Sequence, residues 1–308
     1  MRMLVVGAGS TGGYFGGRLA QAGRDVTFLV RSARAAQLQA NGLQVLSPHG
    51  DFTLKPQLIT SASTIARFDL ILLTVKAFSL GAAIEDLAPA VGPDTMILPA
   101  LNGMKHMDAL DARFGSKPII GGVCRVSTAI DAQGRIVQLS QLQSIDYGET
   151  DGTISPRMRQ LDAFMRGAGF DVRLSSTITR DMWEKWLMLS TLGSATCLMR
   201  ANVGEIRAAE GGLDFVLHLL DEVTSIARAS GVVPTDDFLR DAAAMLTAKG
   251  STFTASMYRD LQRGSKIEAD QIVGDLLVRG RKAGIATPLL AAAYTHLAVY
   301  QNRLSAEA

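Results

Sequence analysis

The residues Gly7-Ala8-Gly9-Ser10-Thr11-Gly12 follow a short apolar run, Leu4-Val5-Val6, and precede a helical segment running from Gly13 to Ala22. Glycines at the first, third and sixth places of such a turn have separate physical uses. Gly7 permits the tight turn, Gly9 lets the backbone approach a pyrophosphate, and Gly12 allows close packing of helix on strand. The helix N-terminus behind them offers N–H groups and the positive end of a dipole to phosphate. The chemistry implied is dinucleotide binding. A second strand, Asp25 to Val30, is followed by Arg31. NAD-binding turns usually carry Asp or Glu there, for the ribose 2′-hydroxyl. Arg31 and Arg34 instead suit a 2′-phosphate through the planar fork of guanidinium donors. The expected cofactor is therefore NADPH/NADP+.

Two later segments could carry reaction chemistry. Asp181-Met182-Trp183-Glu184-Lys185-Trp186 reads as a helix start, with Asp181 and Glu184 as an N-terminal cap pair. Lys185 then lies among two tryptophans. An ammonium beside apolar surface loses hydration, which lowers its pKa and eases proton donation. Spacing alone leaves that role beside a plain one, a lysine snorkelling past Trp186. In the second segment, Ser256 and Met257 precede Gly264-Ser265-Lys266-Ile267-Glu268-Ala269-Asp270. Ser265 with Glu268 has the spacing of a capping box, so Glu268 is open to a structural or a functional role.

These groups need a scaffold. After the opening strand–turn–helix–strand unit, strands are expected at Leu43–Leu46, Asp69–Val75, Thr95–Pro99 and Pro118–Val123. The run from Phe68 to Val75 is nearly all apolar, as a parallel strand buried on both faces should be. Arg135–Leu139 and Ser144–Tyr147 read as a hairpin joined through Gln141, Pro156 opens a helix, and Asp171–Leu174 reads as a last strand. Beyond about Ser176 strand signals stop. Apolar residues then recur at helical spacing, as in Leu213, Val216, Leu217, Leu220, Val223 and Ile226. The reading is α/β: an N-terminal Rossmann-type doubly wound sheet over 1–175, binding NADP, and a C-terminal all-helical domain over 176–308, binding substrate. A ligand is expected at their junction, beyond the carboxyl ends of the strands.

Composition narrows the class. The chain has 308 residues and a formal net charge of +2, with no cationic run, so no nucleic-acid partner is expected. Cys124 and Cys197 form no C-x-x-C pair, and a reducing, cytoplasmic setting fits. His49, His106, His218 and His296 have no metal-ligand spacing, so no metal is expected. The longest uncharged helical stretch, Trp186 to Met199, is too short for a membrane span. The apolar helices of the second half leave a homodimer open alongside a simple core.

The motifs taken together resemble the ketopantoate reductases (2-dehydropantoate 2-reductases) along nearly the whole chain. The likeness runs through Gly7–Gly12 and the following Gly-Tyr-Phe-Gly-Gly-Arg-Leu, Leu29-Val30-Arg31, Val75-Lys76-Ala77, Leu101-Asn102-Gly103-Met104, Trp183-Glu184-Lys185, Ser256-Met257 and Glu268-Ala269-Asp270. The resemblance implies NADPH-dependent reduction of a 2-oxo acid to a 2-hydroxy acid, ketopantoate by default, as in pantothenate biosynthesis. It assigns the pyrophosphate to Gly7, Ala8, Gly9, Ser10, Thr11 and Gly12, and the 2′-phosphate to Arg31 and Lys76. Asn102 falls beside nicotinamide and substrate. Lys185 becomes the general acid, Ser256 the carboxylate ligand, and Glu268 the residue closing on cofactor and substrate. The chain also departs from the pattern. Biosynthetic members carry asparagines where Leu189 and Gly193 stand, and a further one at Val203, beside Asn202. Asn202 could restore that amide by a one-residue shift. Loss of these amides leaves the reaction type intact and opens the alternative of a reductase of a more apolar 2-oxo acid; a reading of another class, a non-catalytic NADPH-binding sensor, is opposed by the intact Lys185, Asn102 and Glu268.

Overall fold

A computed structural model describes residues 1–60 and 67–306 of the chain. They divide into two compact units, Met1–Leu101 with His106–Thr179, and Asn102–Lys105 with Arg180–Ala308.

The first unit opens with β1 (Arg2–Val6), α1 (Ser10–Gln21), β2 (Asp25–Leu29) and α2 (Ser32–Asn41). It continues with β3 (Leu43–Leu46), β4 (Phe52–Leu54), β5 (Gln57–Ile59), β6 (Leu70–Leu73), α3 (Leu80–Leu87), β7 (Met96–Pro99) and α4 (Lys105–Phe114). It ends with β8 (Gly121–Ile130), β9 (Ile136–Gly148), α5 (Pro156–Met165) and β10 (Asp171–Leu174). Five parallel strands form one sheet in the order β5-β2-β1-β6-β7. This is the strand order of a doubly wound nucleotide fold, with crossovers reversing direction about β1. Its strands are apolar on both faces because both are covered. Met3, Val5, Phe28, Leu70 and Leu72 enter one apolar cluster, while Leu4, Val6, Leu29, Ile71 and Leu73 enter another. Each such side chain contributes roughly 1.5–3 kcal/mol by burial.

A second sheet has the order β10-β9-β3-β4, with β8 paired to β9. Here the structure corrects the sequence reading. Ile136–Gly148 is one strand, and its hairpin partner is β8, through the turn after Ile130. Gln141 lies inside that strand, not at a turn. The turn falls where the chemistry is: the Asp131 carboxylate accepts from the N–H groups of Gln133 and Arg135, and Gly134 takes φ +80°. Gln141 has neither device. The short strands β4 and β5 have only three residues each, too few for an alternation to mark them in the sequence.

The second unit contains α6 (Ile178–Met199, its first two residues in the first unit), α7 (Val203–Ala208), α8 (Gly212–Ala229), α9 (Asp236–Leu246), α10 (Ser256–Gln262), α11 (Asp275–Lys282) and α12 (Pro288–Ala306). A single π-helical turn, Asp270–Gly274, leads into α11. No strand occurs among its described residues. The helix α8 buries Val216, Leu220, Val223 and Ile226 as its periodicity predicts, while Leu217 is exposed.

Two predicted helix starts are corrected. α6 opens at Ile178, so Asp181 sits in its first turn and does not cap it. Glu184 is engaged elsewhere, accepting from the N–H and hydroxyl of Thr235, the N-cap of α9. Helical structure after Gly264 begins at Ala269, so Ser265 caps nothing and Glu268 stands at the helix entrance.

Candidate active site

In the first unit the carboxyl ends of neighbouring strands bring several of the expected residues to one edge. The glycine turn follows β1. Arg31 follows β2 on one side, and Lys76 follows β6 on the other. Gly7 adopts φ +96°, a conformation that side chains rarely accept. The Thr74 hydroxyl lies 3.0 Å from the Val6 carbonyl and 2.9 Å from that of Gly7, and holds the turn from below. A Cβ at Gly12 would stand 2.1 Å from Thr74 Oγ1 and 2.2 Å from the Gly7 carbonyl oxygen. A Cβ at Gly9 would meet nothing within 4 Å. The turn is thus packed tightly beneath and open above. Gly9 occupies the N-cap position of α1, and no side chain caps that helix. A pyrophosphate suits such a cradle, which supplies N–H donors with no side chain in the way.

Arg31 is exposed at the N-cap of α2. Arg34 gives part of its donor set to the protein itself. Its Nε donates to the Ala8 carbonyl at 3.1 Å, and its Nη1 donates to Gly134 O at 3.0 Å and to Gln37 Oε1 at 2.5 Å. It clamps the glycine turn to the β8–β9 turn. Burial lowers the pKa of its guanidinium. Neither this clamp nor Thr74 has a sequence signature. Lys76 is exposed at the start of a short 3₁₀ turn.

The second unit holds Asn102, Lys185, Ser256 and Glu268. The π-turn ties three of their neighbourhoods together. The Gln271 side-chain amide donates to the Asn102 carbonyl at 2.8 Å. The indole N–H of Trp186, next to Lys185, donates to the Ile272 carbonyl at 2.8 Å. Glu268 is 9% exposed and its carbonyl accepts from Ile272 N–H. Lys185 is half-buried. The tryptophans on either side of it are core residues, and the cation over both rings is Arg279, at 5.9 Å from the Trp183 centroid and 5.6 Å from that of Trp186. From α12, Tyr294 donates to Asp270 at 2.7 Å. That hydrogen bond, with burial, pushes the phenol up to about 12.

Lys185, Leu189 and Gly193 recur every four residues and share a face of α6. A Cβ at Gly193 would lie 2.8 Å from the Met257 methyl carbon. Ser256 is exposed at the first position of α10, beside that methionine. Val203 is buried at the start of α7. Asn202 does not turn inward: its side-chain oxygen accepts from Glu205 N–H at 2.9 Å, and Glu205 accepts from Asn202 N–H at 2.8 Å, a full capping box.

Comparison with known proteins places this architecture. The family model "Ketopantoate reductase PanE/ApbA" matches residues 3–152, and its C-terminal companion matches residues 177–301. A Bacillus subtilis (strain 168) protein, the uncharacterized oxidoreductase YkpB, is 35% identical over 302 residues, covering 98% of this chain and 99% of its own. The chain belongs to the ketopantoate reductase family. It is an oxidoreductase of the kind acting on CH–OH groups. A 2-dehydropantoate 2-reductase of Streptococcus pyogenes serotype M18 is 26% identical over 294 residues, 94% of either chain. The crystal structure of 2-dehydropantoate 2-reductase from Geobacter metallireducens GS-15 superposes with a TM-score of 0.87 at 31% identity, covering 97% of this chain and 99% of that one. D-mandelate dehydrogenase, solved with NADH and anilino(oxo)acetate, shares the fold at a TM-score of 0.87 and 21% identity, covering 99% of each chain. Among the described residues no helix is long and apolar enough to cross a membrane.

Proposed function

We propose that this protein reduces a 2-oxo acid to the 2-hydroxy acid with NADPH. The observation that carries the reading is the meeting of Asn102, the Trp186 neighbour of Lys185, and Glu268 at one π-turn. A bound reduced nicotinamide supplies the hydride. Gly7, Ala8, Gly9, Ser10, Thr11 and Gly12 hold its pyrophosphate, and Arg31 and Lys76 favour its 2′-phosphate. Lys185 donates a proton from Nζ to the carbonyl oxygen as negative charge develops there, which is where a positioned acid stabilises the transition state. Asn102 and Ser256 orient the substrate, and Glu268 closes over cofactor and substrate.

The acid's identity follows from the face of α6. One and two turns beyond Lys185 the family's amides are replaced by Leu189 and Gly193, and the Met257 methyl group lies against Gly193. Asn202 is committed to its helix cap. A surface without these hydrogen-bond partners separates substrates by only about 1–3 kcal/mol per methylene. Ketopantoate is therefore accepted at high KM, and at least one 2-oxo acid with a branched or larger apolar tail rivals it.

The test is a panel of 2-oxo acids with NADPH, followed at the reduced-nicotinamide absorbance. The expected result is turnover of ketopantoate and of at least one apolar acid within about a hundredfold in kcat/KM. Ketopantoate leading every competitor by more than that would overturn the substrate assignment. NADPH binding without consumption by any acid would point to a sensor.

A further inference from the structure

The π-turn Asp270–Gly274 holds the Asn102–Gly103 corner by two independent contacts. The Gln271 amide nitrogen donates to the Asn102 carbonyl at 2.8 Å. Gly103 takes φ +75°, and a Cβ there would come within 2.4 Å of the Gln271 carbonyl oxygen. The corner is therefore pressed against the backbone of the same residue whose side chain grips it. Gln271 is 4% exposed, so water does not readily replace its amide. One residue further, the Ile272 carbonyl accepts from the Trp186 indole N–H, on the helix that carries Lys185. A π-turn inserts one extra residue into a helix and tips groups out of the ladder, a device that recurs at functional sites. The far side of the turn is buttressed. Tyr294 and Gln301 both donate to Asp270, and a Cβ at Gly274 would meet the Tyr294 ring at 2.7 Å.

We infer that Gln271 is a positioning residue for the reaction, acting through the Asn102 main chain to set the direction of the Asn102 amide. This rests on Asn102 being the orienting group proposed above. Gln271 touches neither substrate nor cofactor in this assignment. Its removal should act on the chemical step and leave cofactor binding alone.

The experiment is a double-mutant cycle in the full-length enzyme. Gln271→Met keeps the length of the side chain and removes the donor. It should lower kcat/KM for the best 2-oxo acid by about ten- to a hundredfold, mostly in kcat, as misplacement of an aligning group does. NADPH affinity by fluorescence titration should stay within about twofold. In the Asn102→Ala background the same change should cost less than about twofold, because the group being aimed is gone. Gln271→Glu, of equal size, serves for the same cycle should the methionine variant not fold. A loss under twofold in the parent overturns the inference. So do equal losses in both backgrounds, which mark a general packing defect. If Asn102→Ala and Lys185→Ala both keep parental turnover, the active-site assignment fails and this inference with it. If they lose turnover and Gln271→Met does not, the inference alone fails.

Discussion

The two units build their candidate sites from different materials. In the first, the working groups are main-chain N–H donors at the mouth of α1, and glycines keep side chains out of their way. In the second, the candidate groups are side chains from residues as far apart as Asn102, Lys185 and Glu268, whose neighbourhoods meet at one π-turn through side chain-to-backbone hydrogen bonds. A backbone site is damaged by adding atoms. A side-chain site is damaged by removing them. That contrast also separates binding from chemistry, since a cradle fixes affinity while an aligned acid fixes rate.

The contrast can be broken most sharply at Gly12. A valine there puts its Cβ about where Thr74 Oγ1 and the Gly7 carbonyl already sit, and the carbonyl is backbone that cannot swing aside. We expect Gly12→Val to weaken NADPH binding by more than about a hundredfold, read by fluorescence titration. Near-parental affinity would mean that the turn does not hold the pyrophosphate. A smaller effect is expected at Arg31, proposed with Lys76 to give the first site its selectivity. Arg31→Ala should narrow the preference for NADPH over NADH by about tenfold, the worth of one charge-assisted phosphate contact. An unchanged ratio of dissociation constants would assign selectivity elsewhere.

A third effect concerns stability and leaves both sites untouched. Asp146 is 4% exposed in the second sheet and accepts from Arg125 and Arg173, each at 2.6 Å. Burial pushes its carboxyl up, but the two guanidinium partners outweigh this and hold it below the usual carboxylate range. A depressed folded-state pKa contributes stability that is complete above the unfolded value of about 3.9 and is lost as pH falls through the folded value. Asp146→Asn should therefore cost about 2 kcal/mol at neutral pH by urea unfolding. The difference from the parent should shrink below about pH 4. A constant difference down to acid pH would show that the charge is not responsible.

The same contrast explains what could be read from the sequence. The glycine turn is local, so the tight turn at Gly7 and the close packing at Gly12 are written in spacing alone. The doubly wound sheet was equally legible, because strands buried on both faces are written as apolar runs such as Leu70–Leu73. The β8–β9 hairpin was misplaced because the Asp131–Gly134 turn works through side-chain hydrogen bonds that periodicity does not register. In the second unit the helices were readable and the hydrogen bonds between them were not. Nothing near Gln271 announces a bond to Asn102, 169 positions away. Arg34 shows the same limit within the first unit, for a residue suited to phosphate spends Nε and Nη1 on two carbonyls and a glutamine.

The division of labour between the two sites is tested most directly at Lys185. Steady-state turnover and NADPH titration on Lys185→Ala, measured side by side, separate rate from affinity. The expected result is a fall in kcat of roughly 10²–10⁴-fold, the usual contribution of a general acid. The dissociation constant for NADPH should stay within about twofold, because the cradle lies in the other unit's backbone. Normal turnover, or a loss of NADPH binding matching the loss of rate, would contradict the assignment of chemistry to the second unit.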